Sequence, residues 1–422
     1  MMVIVAKYFC CISHIDFLGK EISKNMKKII LIVSAFVTVL LIGIVIFISM
    51  VPRDAQGLKY EVNADKKTCT ITGVGSCKTE TVHIPEYMDG YQVTAIGKNV
   101  FYNYGIPESK DEGNTDNTTP KDSTLKEVTI PESVTSIDAG AFYGCNQLKT
   151  VRLPSRLEYL GSAAFYGCTN INDIVLPQTL KTMGWGVFYN CKKLEGMVIP
   201  DSITKIDKGM FYGCESLRAV RFSDEVTDIG THAFYGCSSL EEITLPAGVT
   251  EIDDWMFAHC LSLRKVTVLG RVTRIGDRAF SSCAKLEEFD IPYGAEYVGM
   301  YSFFECKALT EIVLPDSVTE LGNYAFDHCS GLTSVKLSGS LSRLGQRTFN
   351  ECAALTALTV PVSVKKLESA VFVNSGIVDF RYNGTVQAWN EIEKSSTWNA
   401  LTDFAEVACT DGSVPLADQN EN

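Results

Sequence analysis

A period of 23 residues, kept without insertion or deletion from Leu125 to Ser375, constrains this chain more than any other feature. Phenylalanine recurs at every step of 23 from Phe142 to Phe372, and cysteine at every step from Cys145 to Cys352. A fixed period of roughly 20–50 residues is the mark of a solenoid, a stack of equivalent coils. One coil cannot bury its own apolar side, whereas stacking at the ~4.8 Å spacing of neighbouring strands sets like residues above like and makes a continuous core. An insertion inside a coil would throw the next strand out of register, so the gap-free spacing needs no functional explanation.

The unit is taken from Leu148 as position 1 to Asn170 as position 23. Its apolar residues are Leu148, Val151, Leu153, Leu157, Leu160, Ala164, Phe165 and Cys168, at positions 1, 4, 6, 10, 13, 17, 18 and 21. Val151-x-Leu153 alternates with period 2 and reads as a short strand. Proline follows at position 7 in most coils (Pro131, Pro154, Pro177, Pro200, Pro246, Pro292, Pro315, Pro361), where its missing N–H ends the ladder. Positions 10 to 13 form a second extended piece. The A-F-Y-G-C segment reads as a single helical turn, with the glycine at position 20 suited to a left-handed stop.

The pattern L-x-x-[VI]-x-[LI]-P-x-x-[VL]-x-x-[IL]-G-x-x-A-F-x-x-C resembles the BspA-like leucine-rich repeat family over Tyr60 to Gly412. The chain lacks the Asn that commoner leucine-rich repeats place after the strand; Pro at position 7 and Phe and Cys at positions 18 and 21 stand in the motif instead. The expected fold is a right-handed leucine-rich-repeat solenoid of about twelve coils, strand-rich with short helical turns and preceded by one transmembrane helix. The resemblance implies a cell-surface protein that binds or adheres and carries out no chemistry.

The formal net charge of the 422 residues is −12. Residues 1–53 carry six Lys/Arg and two Asp/Glu, so the remainder is still more acidic, which argues against nucleic acid as partner. Of the 15 cysteines, the ten in the array stack with parallel side chains. That leaves their Cβ atoms ~4.8 Å apart, beyond the ~3.8 Å a disulfide needs, so a buried, reduced column is expected. Cys69 and Cys77 lie outside the array on either side of Gly73-Val74-Gly75, and two readings stay open: a disulfide across a hairpin, or two thiols.

Taken in order, residues 1–28 read as a short cytoplasmic tail, of which 1–25 are expected to precede the natural start at Met26. Residues 29–51 form a 23-residue run without a charge, long enough to span a bilayer. Lys20, Lys24, Lys27 and Lys28 precede it, which places the N-terminus in the cytoplasm and the repeats outside the plasma membrane. The run is longer than the apolar core of a cleaved signal and ends in a poor cleavage site, so a single-pass signal anchor is the expectation, with a cleaved signal as the alternative. Residues 52–59 are a linker. Residues 60–124 hold an amino-terminal cap coil, with a five-residue insertion at Tyr87 to Tyr91, and a polar surface loop over Tyr102 to Thr124. The repeats occupy 125–377. Residues 378–410 read as the carboxy-terminal cap, with a helix over Val386 to Lys394 and a strand over Phe404 to Ala408, and 411–422 as a frayed tail.

Catalysis needs a nucleophile, base or metal in a sheltered pocket. His259 and His328 hold the same repeat position but lie three coils, ~14 Å, apart. No metal, cofactor or nucleotide motif is present in the sequence. Glu288 and Glu311 at position 3 of adjacent coils, with Asp290 at position 5, place carboxylates ~5 Å apart, as in a retaining glycosidase. A flat, solvated sheet does not separate their acid and base roles, so no enzyme is expected.

Two candidate binding features remain. Positions 3 and 5 point outward from the strand, and the strand face alternates in charge: Arg218 and Arg221, Glu242, then Glu288, Asp290 and Glu311. The second is the column Tyr143, Tyr166, Tyr189, Tyr212 and Tyr235 at position 19, which stops at Ala258. The charged face suits a protein ligand on a host or neighbouring cell; the tyrosines suit a protein interface or a glycan, making a cell-envelope carbohydrate-binding module the alternative function.

Overall fold

Each coil closes on three walls, and all three are tied to the next coil by backbone hydrogen bonds. The structure, a computed structural model, describes residues 57–77, 79–102 and 123–416. These belong to one unit, Asp54–Asn422. The expected cytoplasmic tail, the apolar segment 29–51, the loop residues 103–122 and residues 417–422 lie outside the described residues. Among the described residues no helix is long and apolar enough to cross a membrane.

The first wall is the strand face. Glu127–Thr129 pairs in parallel with Thr150–Arg152, Gly196–Val198 with Ala219–Arg221, Glu242–Leu245 with Lys265–Val268, and Glu311–Val313 with Ser334–Lys336, each partner 23 residues on. Asp173 and Glu288 join this face through single bridges to Thr150 and Lys265. In Glu127–Thr129, Thr150–Arg152, Ala219–Arg221 and Glu311–Val313 the central residue is buried and its two neighbours are exposed. The second wall repeats the pattern with two-residue strands, from Ser136–Ile137 through Tyr159–Leu160 and Arg274–Ile275 to Lys366–Leu367.

The third wall corrects the expected helical turn. In the A-F-Y-G-C segment the backbone N–H groups of Gly140, Phe142 and Gly144 donate to Ser162, Ala164 and Tyr166 in the next coil, at 2.9, 2.8 and 2.7 Å. The intervening N–H groups of Ala141, Tyr143 and Cys145 close tight turns onto the carbonyls three residues back. A helix would direct every N–H along its own axis; here every second one points to the neighbouring coil. This geometry needs a left-handed residue at position 16 and at position 20 of each coil. Gly140 and Gly144 supply them at φ 64 and 72, and further along so do His232, Trp255, Arg278, Tyr301, Tyr324 and His328, at φ between 56 and 61. Left-handed backbone costs a residue with a Cβ roughly 1–2 kcal/mol, which the coil-to-coil bonds must offset.

The stack has about 14 turns, where about twelve were expected, because the capping segments are themselves turns. At the amino-terminal end Thr81–His83 pairs in register with Glu127–Thr129. The expected insertion is a hairpin in which Tyr87–Met88 pairs with Tyr91–Ile96 across Asp89 and Gly90, both at positive φ. At the other end Asp379–Tyr382 and Glu406–Cys409 continue the strand face. The helix is shorter than expected, Val386–Asn390, capped by Thr385, whose hydroxyl accepts from the Ala388 N–H. The chain after 410 is not frayed at once: Gly412–Pro415 pairs antiparallel with Glu406–Cys409 and so covers the last edge strand.

Inside, the phenylalanines form a single stack from Phe101 to Phe372, with successive ring centroids 4.9–6.2 Å apart. Each contributes about 1.5–3 kcal/mol by burial. The ten array cysteines and Cys69 are buried and free, so no disulfide joins Cys69 to Cys77 across the hairpin. The Cys69 Sγ donates to the Tyr91 carbonyl and the Cys77 Sγ lies 3.7 Å from the Thr79 hydroxyl.

Candidate functional site

The strand face gathers the charged candidates. Arg218, Arg221, Glu242, Glu288, Asp290 and Glu311 are all exposed, and they fall within a run of five consecutive coils, on four of them. Three shallow depressions run side by side along these coils. Arg221, Glu242, Thr244 and Leu269 line one; Lys265, Arg271, Asp290 and Tyr293 the next; Glu288, Asp290, Glu311 and Val313 the third.

Charges on the two sheets behave differently. On the second wall they pair within the chain: Lys205 with Asp228 at 3.0 Å, Arg343 with Glu368 at 2.8 Å, and Arg274 with Asp253 and Asp254. Tyr297 joins this last group, its hydroxyl 2.7 Å from Asp277 and its pKa pushed up to about 12 by burial and then by that bond. On the strand face none of the six candidates makes an ion pair among the described residues, nor do Glu241, Arg264, Lys265 or Glu287 beside them. Ion pairs on this face lie only towards its two ends among the described residues, Lys126 with Glu80 and Arg381 with Asp379, both at 2.8 Å.

Sequence reasoning passed over the apolar members of this face. Val175 is 74% exposed, Val198 54% and Val313 44%, all at position 5, and Tyr293 is 87% exposed at the rim. The signal was available: position 5 points outward, and a valine there has no core to enter.

The tyrosine column ends at Ala258 as expected, but the aromatic ribbon it belongs to continues through position 16. Tyr143, Tyr166, Tyr189, Tyr212 and Tyr235 are half-buried and stacked face to face, with centroids 4.2–4.6 Å apart and planes within 9°. Burial raises the phenol pKa of Tyr143, Tyr189 and Tyr235. Each ring leans over position 16: a Cβ added to Gly209 would sit 3.4 Å from the Tyr189 ring. Where position 19 turns to Ala258, position 16 enlarges and takes over. His232 stacks on Trp255 at 5.6 Å, the Arg278 guanidinium lies 4.7 Å from Trp255 and 4.5 Å from Tyr301, and Tyr301 stacks on Tyr324 at 4.4 Å. The large residue moves from one position to the other, and the ribbon of π faces continues. Because each tyrosine ring covers its neighbour, the ribbon offers edges and hydroxyls outward, not the open ring face on which a sugar stacks.

Among the described residues no enclosed chemistry forms around the histidines. The His328 Nδ1 is 2.7 Å from Asp327, whose carboxylate also accepts from the Asn350 amide at 2.6 Å. Among the described residues no group of three His, Cys, Asp or Glu is placed to hold a metal ion. Glu288 and Glu311 are exposed on an open sheet.

A six-copy sequence model of the BspA type leucine rich repeat region matches residues 116–241, 204–304 and 273–394. The chain belongs to the BspA type leucine-rich repeat family. Among solved structures it is similar to a leucine rich cell surface protein from Faecalibacterium prausnitzii, at 28% identity over 81% of this chain and 97% of that one, with a TM-score of 0.55. It is also similar to a leucine-rich repeat protein from Bacteroides ovatus, at 25% identity over 78% and 88% of the two chains, with a TM-score of 0.63. No curated protein matches it. Repeat proteins of the leucine-rich class are generally non-catalytic and typically bind proteins.

Proposed function

We infer that this BspA-type protein is a non-catalytic surface receptor or adhesin that holds a protein partner along its strand face. The observation that carries the reading is the contrast between the two sheets. Charges on the second wall such as Lys205 and Asp228 or Arg343 and Glu368 meet one another, whereas those on the strand face from Arg218 to Glu311 are left for something else to meet. Exposed valines among them add apolar contact between the charges. Residues 29–51 would hold the chain in the plasma membrane as a single-pass anchor, with the repeats outside the cell.

The test is binding of the full chain to host matrix proteins, proteins of neighbouring cells and glycans at physiological salt. Saturable protein binding that falls with added salt, and falls again in Glu288→Lys plus Glu311→Lys, is the expected outcome. Glycan binding indifferent to those substitutions and lost in Tyr166→Ala would overturn this reading in favour of a carbohydrate module.

A further inference from the structure

The charges on the strand face are ordered as well as unpaired. Four consecutive coils begin at Leu217, Leu240, Leu263 and Leu286. Their second positions read Arg218, Glu241, Arg264, Glu287, and their fifth Arg221, Thr244, Thr267, Asp290. At the third, Glu242 precedes Lys265. The coils therefore alternate basic, acidic, basic, acidic, and every charged member is exposed. A row of this kind with an even number of blocks is complementary to itself when reversed. Resting on the reading of the strand face as the binding surface, we propose that its partner is a second copy of this chain, docked face to face with the two stacks antiparallel.

The geometry specifies the pairing. A two-fold axis parallel to the strands, between the coils of Leu240 and Leu263, reverses the stack but keeps each residue's place along its strand. Arg218 then faces Glu287 of the second copy, Arg221 faces Asp290, Glu241 faces Arg264 and Glu242 faces Lys265, and symmetry repeats each pair. Thr244 faces Thr267. One coil further out, exposed Val198 meets exposed Val313. At positions 2, 3 and 5 no like charges meet between the coil of Leu148 and that of Leu355; at the rim Asp201 faces Asp316. Beyond that span Glu127 faces Asp379, whose charge Arg381 already meets at 2.8 Å.

The alternatives fail on charge. A slip of one coil sets Arg218 against Arg264 in one direction and Glu241 against Glu287 in the other. A parallel pair puts every coil on its own counterpart, basic on basic and acidic on acidic. Ten coils at ~4.8 Å, each about 10 Å wide, bury on the order of 1,000 Å² in total, the low end of specific interfaces, so a micromolar, salt-sensitive association is expected.

Sedimentation equilibrium of the full chain in density-matched detergent tests this directly. One variant makes the face all acidic (Arg218→Glu, Arg221→Glu, Arg264→Glu, Lys265→Glu). A second makes it all basic (Glu241→Lys, Glu242→Lys, Glu287→Lys, Asp290→Lys). The native chain should pair at about 0.1 M salt and dissociate near 1 M. Each variant alone should associate at least about tenfold more weakly, and an equimolar mixture of the two should pair again. Association through residues 29–51 would be blind to these changes. A native chain that stays monomeric, or variants that pair alone as well as the native chain, would overturn the proposal. A monomeric chain that still binds another protein through Glu288 and Glu311 would overturn the self-pairing and leave the receptor reading standing.

Discussion

The thiol of Cys237 donates to the carbonyl oxygen of Phe211, 3.2 Å away in the preceding coil. That carbonyl also accepts the Cys214 N–H of its own coil at 3.1 Å, so it has two donors and is fully satisfied. The same bond recurs from Cys145 on Phe101 to Cys352 on Phe326, at 3.1–3.4 Å. The cysteine column is therefore a ladder of small apolar side chains that also tie one coil to the next.

Chemical labelling should find this column inert. Burial pushes the Cys145 thiol up to about 12 and raises those of Cys168, Cys214 and Cys237 further. The thiolate that reacts is thus absent at neutral pH. Alkylation of the native protein at pH 8, read by peptide mass spectrometry, should leave Cys145 to Cys352 unmodified and label all ten after denaturation. Labelling of Cys214 or Cys237 in the folded protein would contradict the buried ladder.

The same shifts predict alkaline unfolding. The thiol pKa lies higher in the folded state than the usual 9.0, so the stabilisation is complete below pH 9 and is lost as pH rises above it. Each buried thiol costs about 1.4 kcal/mol per pH unit above that point. With ten in one stack, the melting temperature should be flat from pH 7 to about 8.5 and then drop steeply. A melting curve unchanged at about pH 10.5 would count against it.

Phe234→Ala should cost about 3–5 kcal/mol, by opening a cavity in the ring stack between Phe211 and Phe257. Because each coil touches chiefly its neighbours, the loss should uncouple the coils on either side. Hydrogen exchange should then show two blocks of different protection where the native chain shows one.

Arg278 separates backbone strain from side-chain stacking. It holds φ 56 while its guanidinium lies between Trp255 and Tyr301. Arg278→Ala loses both cation–π contacts and keeps the strain, so it should destabilise by about 1–2 kcal/mol. Arg278→Gly loses the same contacts and relieves the strain, and should be about 1 kcal/mol more stable than the alanine variant. Equal denaturation midpoints for the two would show that the left-handed position carries no strain.

Surface charge should matter to stability on one sheet only. Glu288→Lys with Glu311→Lys should shift unfolding by no more than about 0.5 kcal/mol, since neither residue has a partner to lose. Arg274→Ala removes the cation that faces Asp253 and Asp254 and should cost about 1–2 kcal/mol, measured by urea unfolding.

The 23-residue spacing by itself determined the solenoid, its register, the inward Phe and Cys columns and the outward positions 3 and 5. In a stack, one-dimensional periodicity is the three-dimensional contact rule: residue n lies on residue n + 23, so Phe142 must meet Phe165. What spacing does not carry is where a backbone N–H points. The A-F-Y-G-C segment has the composition of a helical turn, and only the stacked neighbour, whose carbonyls lie within reach of Phe142 and Gly144, makes it a wall of coil-to-coil bonds. The passage of the aromatic ribbon from Tyr235 to Trp255 was likewise hidden, because positions 19 and 16 become neighbours only once the turn is folded. The division of charges into those that pair, as Lys205 does with Asp228, and those that do not, as with Arg221 and Asp290, was also decided by the tertiary structure. Pairing depends on side-chain reach across neighbouring strands, and a linear pattern of charge does not record that distance.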